Sequence, residues 1–333
     1  MRPFVYERPQ TEAAAADLAR KGGAAFLAGG TTLLDLMKLD VLRPDTLIDL
    51  SCVRDDKLSA ITADAGGLRF GALVHMAEAE EHEDVKRDYP VIAQSLMLAA
   101  SQQLRNMATL GGNLLQRTRC NYFRDTSWTA CNKRNPGSGC AAKEGVNRMH
   151  AVLGTSSACI ATYPGDFAQA LIALGAEVDT IGPRGPRSIA LADLHKLPED
   201  RPDIETALLP GEMIVSIFVP AAAYTRRSLY LKIRDRESYE FAVASAAVAL
   251  DMDGDTVRVA RVALGGVATV PWRSQAAEQE LAGQRLDESS AMAAAEIAFA
   301  DASALRDNAY KIPLGKQTLV RALLEAGKME MRG

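Results

Sequence analysis

Four of the five cysteines in this 333-residue chain, Cys120, Cys131, Cys140 and Cys159, fall between positions 120 and 159, and only Cys52 lies outside. An even spread would put fewer than one in that window, so the four share a task. The residues between them are polar and glycine-bearing, with no sustained apolar period, which predicts a long ordered loop. Loops of that length are uncommon without a function.

Disulfides and metal ligation compete to explain the cluster. Disulfide staples suit small secreted domains that cannot build a core, whereas this chain is 48% apolar and long enough for two or three domains. Its opening residues MRPFVYERPQ lack the basic-then-apolar order of an export signal, so no signal peptide is expected. The spacings are too wide for a zinc ribbon and match no standard ferredoxin run, yet four thiolates from irregular loops can enclose a [4Fe–4S] cube. Iron–sulfur is the favoured reading, with zinc and unligated or disulfide-bonded thiols as alternatives. Arg117, Arg119, Lys133 and Arg134 flank the cysteines and would offset thiolate charge; the plainer reading is a solvated basic loop. The formal charge of −4, the sequence pI near 5.7 and the lack of a basic run interleaved with aromatics exclude a nucleic-acid-binding surface. No apolar stretch approaches the ~20 residues that cross a bilayer, so no membrane insertion is expected.

In chain order, Pro3 to Tyr6 predict a strand, Thr11 caps a helix through Ala19, and Ala24 to Ala28 predict a second strand. That strand runs into Gly29-Gly30-Thr31-Thr32 and a helix marked by Leu33, Leu34, Leu36 and Met37. A strand, a glycine turn and a helix start let backbone amides approach an anion, with Thr31 or Thr32 as cap. A strand at Leu68 to Leu73 and helices from Met76 and over Val91 to Ala100 follow, and then a second threonine–diglycine loop, Thr109-Leu110-Gly111-Gly112-Asn113. Neither loop has the Rossmann or Walker spacing, so a nucleotide held between two separate glycine loops is the better reading. Arg105 reads either as a cation near phosphate or as a buried ion-pair partner.

The stretches AGGTTLLDLMK (28–38), QLRNMATLGGNLLQRTRC (103–120), GEMIVSIFVP (211–220) and VALGGVATVPWR (262–273) resemble the FAD-binding subunits of molybdenum hydroxylases, the xanthine dehydrogenase and carbon monoxide dehydrogenase family. The cysteine insert is similar to that of the [4Fe–4S]-carrying flavoprotein subunits of periplasmic bacterial aldehyde oxidoreductases. The resemblance implies an α+β chain: a two-subdomain PCMH/VAO-type FAD-binding domain, then a smaller α+β domain of the CO dehydrogenase flavoprotein C-terminal type. The expected divisions are 1–60, 61–220 with the insert at about 117–160, and 221–333.

Carried over, the resemblance places FAD on Ala28, Gly29, Gly30, Thr31, Thr32 and Leu33 in the first loop. In and before the second it uses Arg105, Asn106, Ala108, Thr109, Leu110, Gly111, Gly112 and Asn113. Asp166 matches an acid at the flavin nucleotide, with a helix cap as its plainer role; Ile214 matches an apolar residue near the cofactor. Lys232 matches a lysine near the flavin ring, though alone it reads as a surface strand residue. Gly165 stands where a serine is common, without loss of small size. Tyr310-Lys311 replaces a frequent Tyr-Arg pair, which touches only an expected subunit contact.

Ala158 to Thr162 predict a strand, Tyr163 to Asp166 a turn and Phe167 to Ala173 a helix. Strands are expected at Ala176–Ile181, Met213–Val219 and Val257–Leu264, and helices from Arg273 onward with breaks at Gly283 and Pro313. His75, His82, His150 and His195 sit in no hydrolytic motif; His150, between two of the cysteines, reads as structural because four thiolates complete a cube. Cys52 reads as a buried core thiol. The expected activity is therefore electron transfer by an oxidoreductase subunit, with no catalytic residue on this chain. Its expected partners are a small [2Fe–2S] subunit, a large molybdenum-cofactor subunit and an external acceptor such as ferredoxin. The expected location is the periplasm, reached with a signal-bearing partner, or else the cytoplasm. A zinc-stabilised nucleotide-binding or assembly module without redox activity is the alternative.

Overall fold

The computed structural model describes residues 1–20 and 22–330. Its first sheet has three parallel strands, β1 (Val5–Glu7), β2 (Ala24–Leu27) and β3 (Thr46–Asp49), in the order β1-β3-β2. Parallel neighbours need crossovers, which the helices Glu12–Ala19 and Leu33–Lys38 supply. Thr11 caps the first of these, its hydroxyl accepting from the Ala14 N–H at 3.2 Å.

The second sheet is antiparallel: β4 (Ile61–Asp64), β5 (Gly67–Gly71), β6 (Glu177–Gly182), β7 (Gly185–Ala190) and β8 (Met213–Pro220), ordered β4-β5-β8-β6-β7. Strand β8 at its centre joins segments far apart in sequence. Helices Pro90–Met97 and Phe167–Ala173 cover the sheet, and Phe70, Ile92, Leu110, Phe167 and Ile217 are fully buried between them. Each such side chain contributes about 1.5–3 kcal/mol by leaving water. Met213 of β8 also packs with Ala15, Ile48 and Leu50, tying the first sheet to the second.

The third sheet is an antiparallel run of β9 (Ser228–Ile233), β10 (Ala244–Asp253), β11 (Thr256–Gly265) and β12 (Trp272–Arg273), in the order β12-β11-β10-β9. Strand β10 is buried on both faces. Ala246, Val248 and Leu250 point to the core formed with the C-terminal helices, while Ala247 and Ala249 point to the core of the second sheet. Two-sided burial removes the polar alternation of an ordinary strand, which is why the sequence there shows only small apolar residues.

Three expectations change. Residues 158–162 form no strand: side chains replace the ladder, with Asn132 Nδ2 donating to the Ala158 carbonyl at 3.0 Å, Ser156 Oγ accepting from the Cys159 N–H at 3.2 Å, and Thr118 Oγ1 donating to the Thr162 carbonyl at 2.9 Å. Pro313 breaks nothing, because it sits in the first turn of helix Lys311–Gly327, where a missing N–H costs no helical bond. Lys311 is fully buried and donates to the carbonyls of Met149 at 3.0 Å and Gly266 at 2.6 Å, so it is an internal staple rather than a residue of a subunit contact.

Candidate functional site

The first glycine loop hangs from the end of β2. Gly30 has φ +72°, a conformation that side chains resist, and Gly29 lies so close to the second loop that an added Cβ would be 1.9 Å from the Met107 carbonyl oxygen. Thr32 occupies the N-cap position of helix Leu33–Lys38 but its hydroxyl makes no capping bond. Leu34 N–H of that first turn is taken by the Gly30 carbonyl at 3.0 Å, and the Thr32 hydroxyl satisfies none of the other amides.

The second loop is fixed by backbone pairing to the segment after β5. Leu110 N–H donates to Val74 O and Gly111 N–H to Ala72 O, both at 2.9 Å, and Met76 N–H donates to Ala108 O at 2.9 Å. Thr109 caps the one-turn helix Leu110–Leu114, accepting from the Gly112 N–H at 3.3 Å.

Two cavities, of about 220 and 240 Å³, meet where the loops touch. Ala28, Gly29, Gly30, Leu33, Gly111 and Ile214 help line the first; Ala108, Asn113 and Asp166 help line the second; Thr31, Thr32 and Gly112 belong to both. A pair of chambers joined at a waist of glycine and threonine suits a dinucleotide, with the pyrophosphate at the waist. Asn113 Oδ1 and Arg119 Nε are buried without partners in the wall of the second chamber, so polar groups there await a ligand.

Asp166 stands at the N-cap position of helix Phe167–Ala173 but does not cap it. Its carboxylate accepts instead from Tyr230 Oη at 2.6 Å and Lys232 Nζ at 2.8 Å, and Lys232 also donates to the Leu98 carbonyl at 2.9 Å. Burial raises the Asp166 carboxyl, with Lys232 beside it acting in the opposite sense. Lys232 is thus no surface residue; it meets the chamber through Asp166.

Two expected residues lie elsewhere. Arg105 pairs with Glu80 at 2.7 Å, both side chains buried, and donates to the Ala99 carbonyl at 2.9 Å, which decides for the ion-pair reading. Asn106 is exposed at the end of helix Gln102–Arg105, outside both chamber walls. Conversely, Tyr239 and Phe241 line the second chamber without having been singled out from sequence. Tyr239 has φ +53° and is 55% exposed, and Arg119 lies 4.8 Å over the Phe241 ring. The only sequence signal was their position just after the Lys232 strand.

The four clustered cysteines line one further, small cavity, and every thiol is free. Cys131 and Cys140 face each other across an isolated antiparallel bridge. The segment has only two short helices, Asn121–Arg124 and Ala141–Glu144, and side chains hold the rest. Arg134 donates to the carbonyls of Tyr122 at 2.9 Å, Phe123 at 2.6 Å and also Trp128, and Asn132 Oδ1 accepts from the Gly139 N–H at 2.8 Å. Burial pushes the Cys120 thiol up to about 12, with Cys131 and Cys159 adding to the rise. Burial likewise raises Cys159, opposed by Lys133.

Of the flanking cations, Lys133 lines the thiol cavity. Glu205 binds both Lys133, at 3.3 Å, and Arg117, at 2.5 Å, while Arg119 and Arg124 bind Asp35 at 3.3 and 2.7 Å. His150 is buried with its Nε2 3.2 Å from Cys120 Sγ, and burial, helped by Lys311, lowers its pKa to about 4. Cys52 is not a core thiol: it is half-exposed and accepts from Arg8 Nε at 3.1 Å. Among the described residues no three His, Cys, Asp or Glu side chains form a group suited to a single metal ion. Four free thiols around one small cavity are a donor set of the kind that holds a tetrahedral metal ion or an iron–sulfur cluster.

The family model for the FAD binding domain in molybdopterin dehydrogenase matches residues 2–222, and that for the CO dehydrogenase flavoprotein C-terminal domain matches residues 229–326. The chain belongs to the FAD-binding medium subunits of the molybdenum hydroxylases. Its relatives are oxidoreductase subunits. The aldehyde oxidoreductase FAD-binding subunit PaoB of Escherichia coli (strain K12) is 50% identical over 98% of this chain and 99% of its own. The carbon monoxide dehydrogenase medium chain of Afipia carboxidovorans is 28% identical over 97% of this chain and 96% of its own. Among solved structures, quinoline 2-oxidoreductase from Pseudomonas putida 86 superposes with a TM-score of 0.75, 25% identity and 99% of both chains covered. The carbon monoxide dehydrogenase of Hydrogenophaga pseudoflava gives 0.75 and 26%, covering 98% of this chain and 97% of that one. No helix among the described residues is long and apolar enough to cross a membrane.

Proposed function

We propose that this chain is the FAD- and [4Fe–4S]-carrying electron-transfer subunit of a molybdenum-dependent aldehyde oxidoreductase. The observation that carries the reading is adjacency. Leu36 lines the first chamber and packs on Phe123 and Cys131, so one layer of side chains separates the dinucleotide chamber from the thiol cavity. When bound, FAD supplies a two-electron store between [2Fe–2S] clusters of a small partner subunit and an external acceptor such as ferredoxin. The cluster supplies one-electron exchange or a brace beside the flavin.

In this reading the chain's own residues bind and position. Gly29, Gly30, Thr31 and Thr32 offer backbone amides to pyrophosphate, and Gly111 and Gly112, whose own N–H groups are bonded within the fold, keep the facing wall free of side chains; Ile214 offers an apolar wall at one end, and Asn113 and Asp166 offer polar groups at the other. Cys120, Cys131, Cys140 and Cys159 ligate iron, and Lys133 offsets their charge. Substrate oxidation belongs to a large molybdenum-cofactor subunit, and 50% identity to an aldehyde oxidoreductase subunit supports aldehydes as substrates. The family resemblance of the sequence motifs carries the further reading of a heterotrimer that reaches the periplasm with a signal-bearing partner.

Co-purification with its partner subunits, followed by flavin, iron, sulfide and zinc analysis, tests this. The expected result is flavin absorption at about 450 nm, with iron and labile sulfide about four per complex above what the small subunit's [2Fe–2S] clusters account for. A complex with zinc and no iron beyond that of the small subunit would overturn it.

A further inference from the structure

His150 Nε2 lies 3.2 Å from Cys120 Sγ, while Nδ1 is buried without a partner at hydrogen-bond distance and the Asn147 backbone also acts on the ring. A neutral imidazole carries one N–H, and a sulfur that ligates a metal only accepts. With Cys120 as a ligand, the proton therefore sits on Nε2 and points at the sulfur.

The ring is also prevented from drifting, because the C-terminal segment grips the chain on both sides of it. Asn147 N–H donates to Asp307 Oδ2 at 3.2 Å, and Asp307 N–H returns a bond to Asn147 Oδ1 at 2.9 Å. Lys311 holds the Met149 carbonyl at 3.0 Å, and Asn308 Nδ2 holds the Ala151 carbonyl at 3.0 Å. Tyr122 packs against the imidazole with ring centroids 6.2 Å apart. So many bonds spent on residues 147–151 fix one donor on one sulfur.

We propose that His150 is a positioning residue that donates Nε2–H to the Cys120 sulfur and thereby raises the reduction potential of the cluster. Hydrogen bonds to ligand sulfurs stabilise the added negative charge of the reduced state, so the potential rises with each one. This rests on the iron–sulfur reading above. Backbone amides act on both sulfurs, those of Phe123 and Tyr122 at Cys120 and Ala161 N–H, at 3.4 Å, at Cys159, and substitution cannot easily remove them. At Cys120 the His150 side chain adds to them.

The test uses the assembled complex with His150→Leu and His150→Gln, read by iron and flavin content and by redox titration of the cluster's electron paramagnetic resonance signal. Leucine fills the space without a donor; glutamine returns an N–H near the Nε2 position. The expected result is a more negative midpoint for His150→Leu and a return toward wild type for His150→Gln. Equal midpoints in wild type and the leucine variant, or equal shifts in both variants, overturn the proposal. If the leucine variant loses iron, retention of iron and of the wild-type midpoint by the glutamine variant supports the proposal, and any other glutamine result overturns it. A wild-type complex with no iron beyond that of the small subunit's [2Fe–2S] clusters would instead sink the cluster assignment itself, which the metal analysis separates.

Discussion

The dinucleotide chambers and the thiol cavity are neighbours built by opposite means. The glycine loops hang from strand ends and are set by backbone pairing, so their shape depends on the fold and on the absence of side chains at Gly29 and Gly111. The cysteine segment has almost no regular structure, and its shape depends on individual side chains such as Arg134, Asn132 and Asn147 bonding to backbone groups. The first region should therefore fail when volume is added, and the second when a single group is removed.

The largest effect is expected from Gly29→Val. Its new atoms would meet the Met107 carbonyl at well under contact distance, forcing the two loops apart at their waist. Overpacking of this kind costs about 1–3 kcal/mol, and FAD affinity should fall by about tenfold or more while iron stays bound. Flavin retained at wild-type affinity would show that the waist is not where the cofactor is held. Cys131→Ser is the converse: iron should be lost with FAD kept, measured on the same complex. Turnover with a one-electron acceptor then separates relay from brace, since unchanged turnover eliminates the relay.

This contrast also explains what the sequence made legible. Strand–glycine–helix patterns are local, so both glycine loops and their neighbouring elements could be read from periodicity and turn residues. Arg105 could not be placed, because its partner Glu80 lies on another helix and only packing shows the pair closing away from the chambers. Lys232 alternates like a surface residue in β9; its burial comes from helix Phe167–Ala173 bringing Asp166 over the sheet. The strand expected at 158–162 failed because its apolar pattern is real but its backbone partners are side chains of the insert. Cys52 looked like core because Leu50 beside it is core, and the turn Leu50–Cys52 rotates the thiol outward toward Arg8.

Glu205→Gln tests how far the two regions are independent. Glu205 joins Arg117, which lines the first FAD chamber, to Lys133, which lines the thiol cavity. Burial would raise its carboxyl, but Lys133 and Arg117 outweigh that and hold it below the usual glutamate range. A carboxylate with a depressed folded pKa stabilises fully above the unfolded value of about 4.3, and that stability disappears as pH falls through the folded value. The variant should lose about 1–2 kcal/mol near neutral pH. Unfolding curves of the two proteins should converge as pH drops below about 4. Parallel curves down to pH 3 would mean that the charge of Glu205 does not matter.

Asp35→Asn should do least, and is informative for that reason. Asp35 belongs to the helix of the first glycine loop and reaches across to Arg119 and Arg124 of the cysteine segment, so it too spans the boundary. Its side chain is 37% exposed, and ion pairs in that setting contribute about 0–1 kcal/mol. Arg119 keeps its place over Phe241 after the change, and Arg124 can turn to water. Melting and FAD dissociation rates should shift little, by less than about threefold in rate. A larger loss of flavin would show that the cysteine segment orients the first loop through this carboxylate, and the two regions would then have to be treated as one folded unit rather than as a fold-made site beside a side-chain-made one.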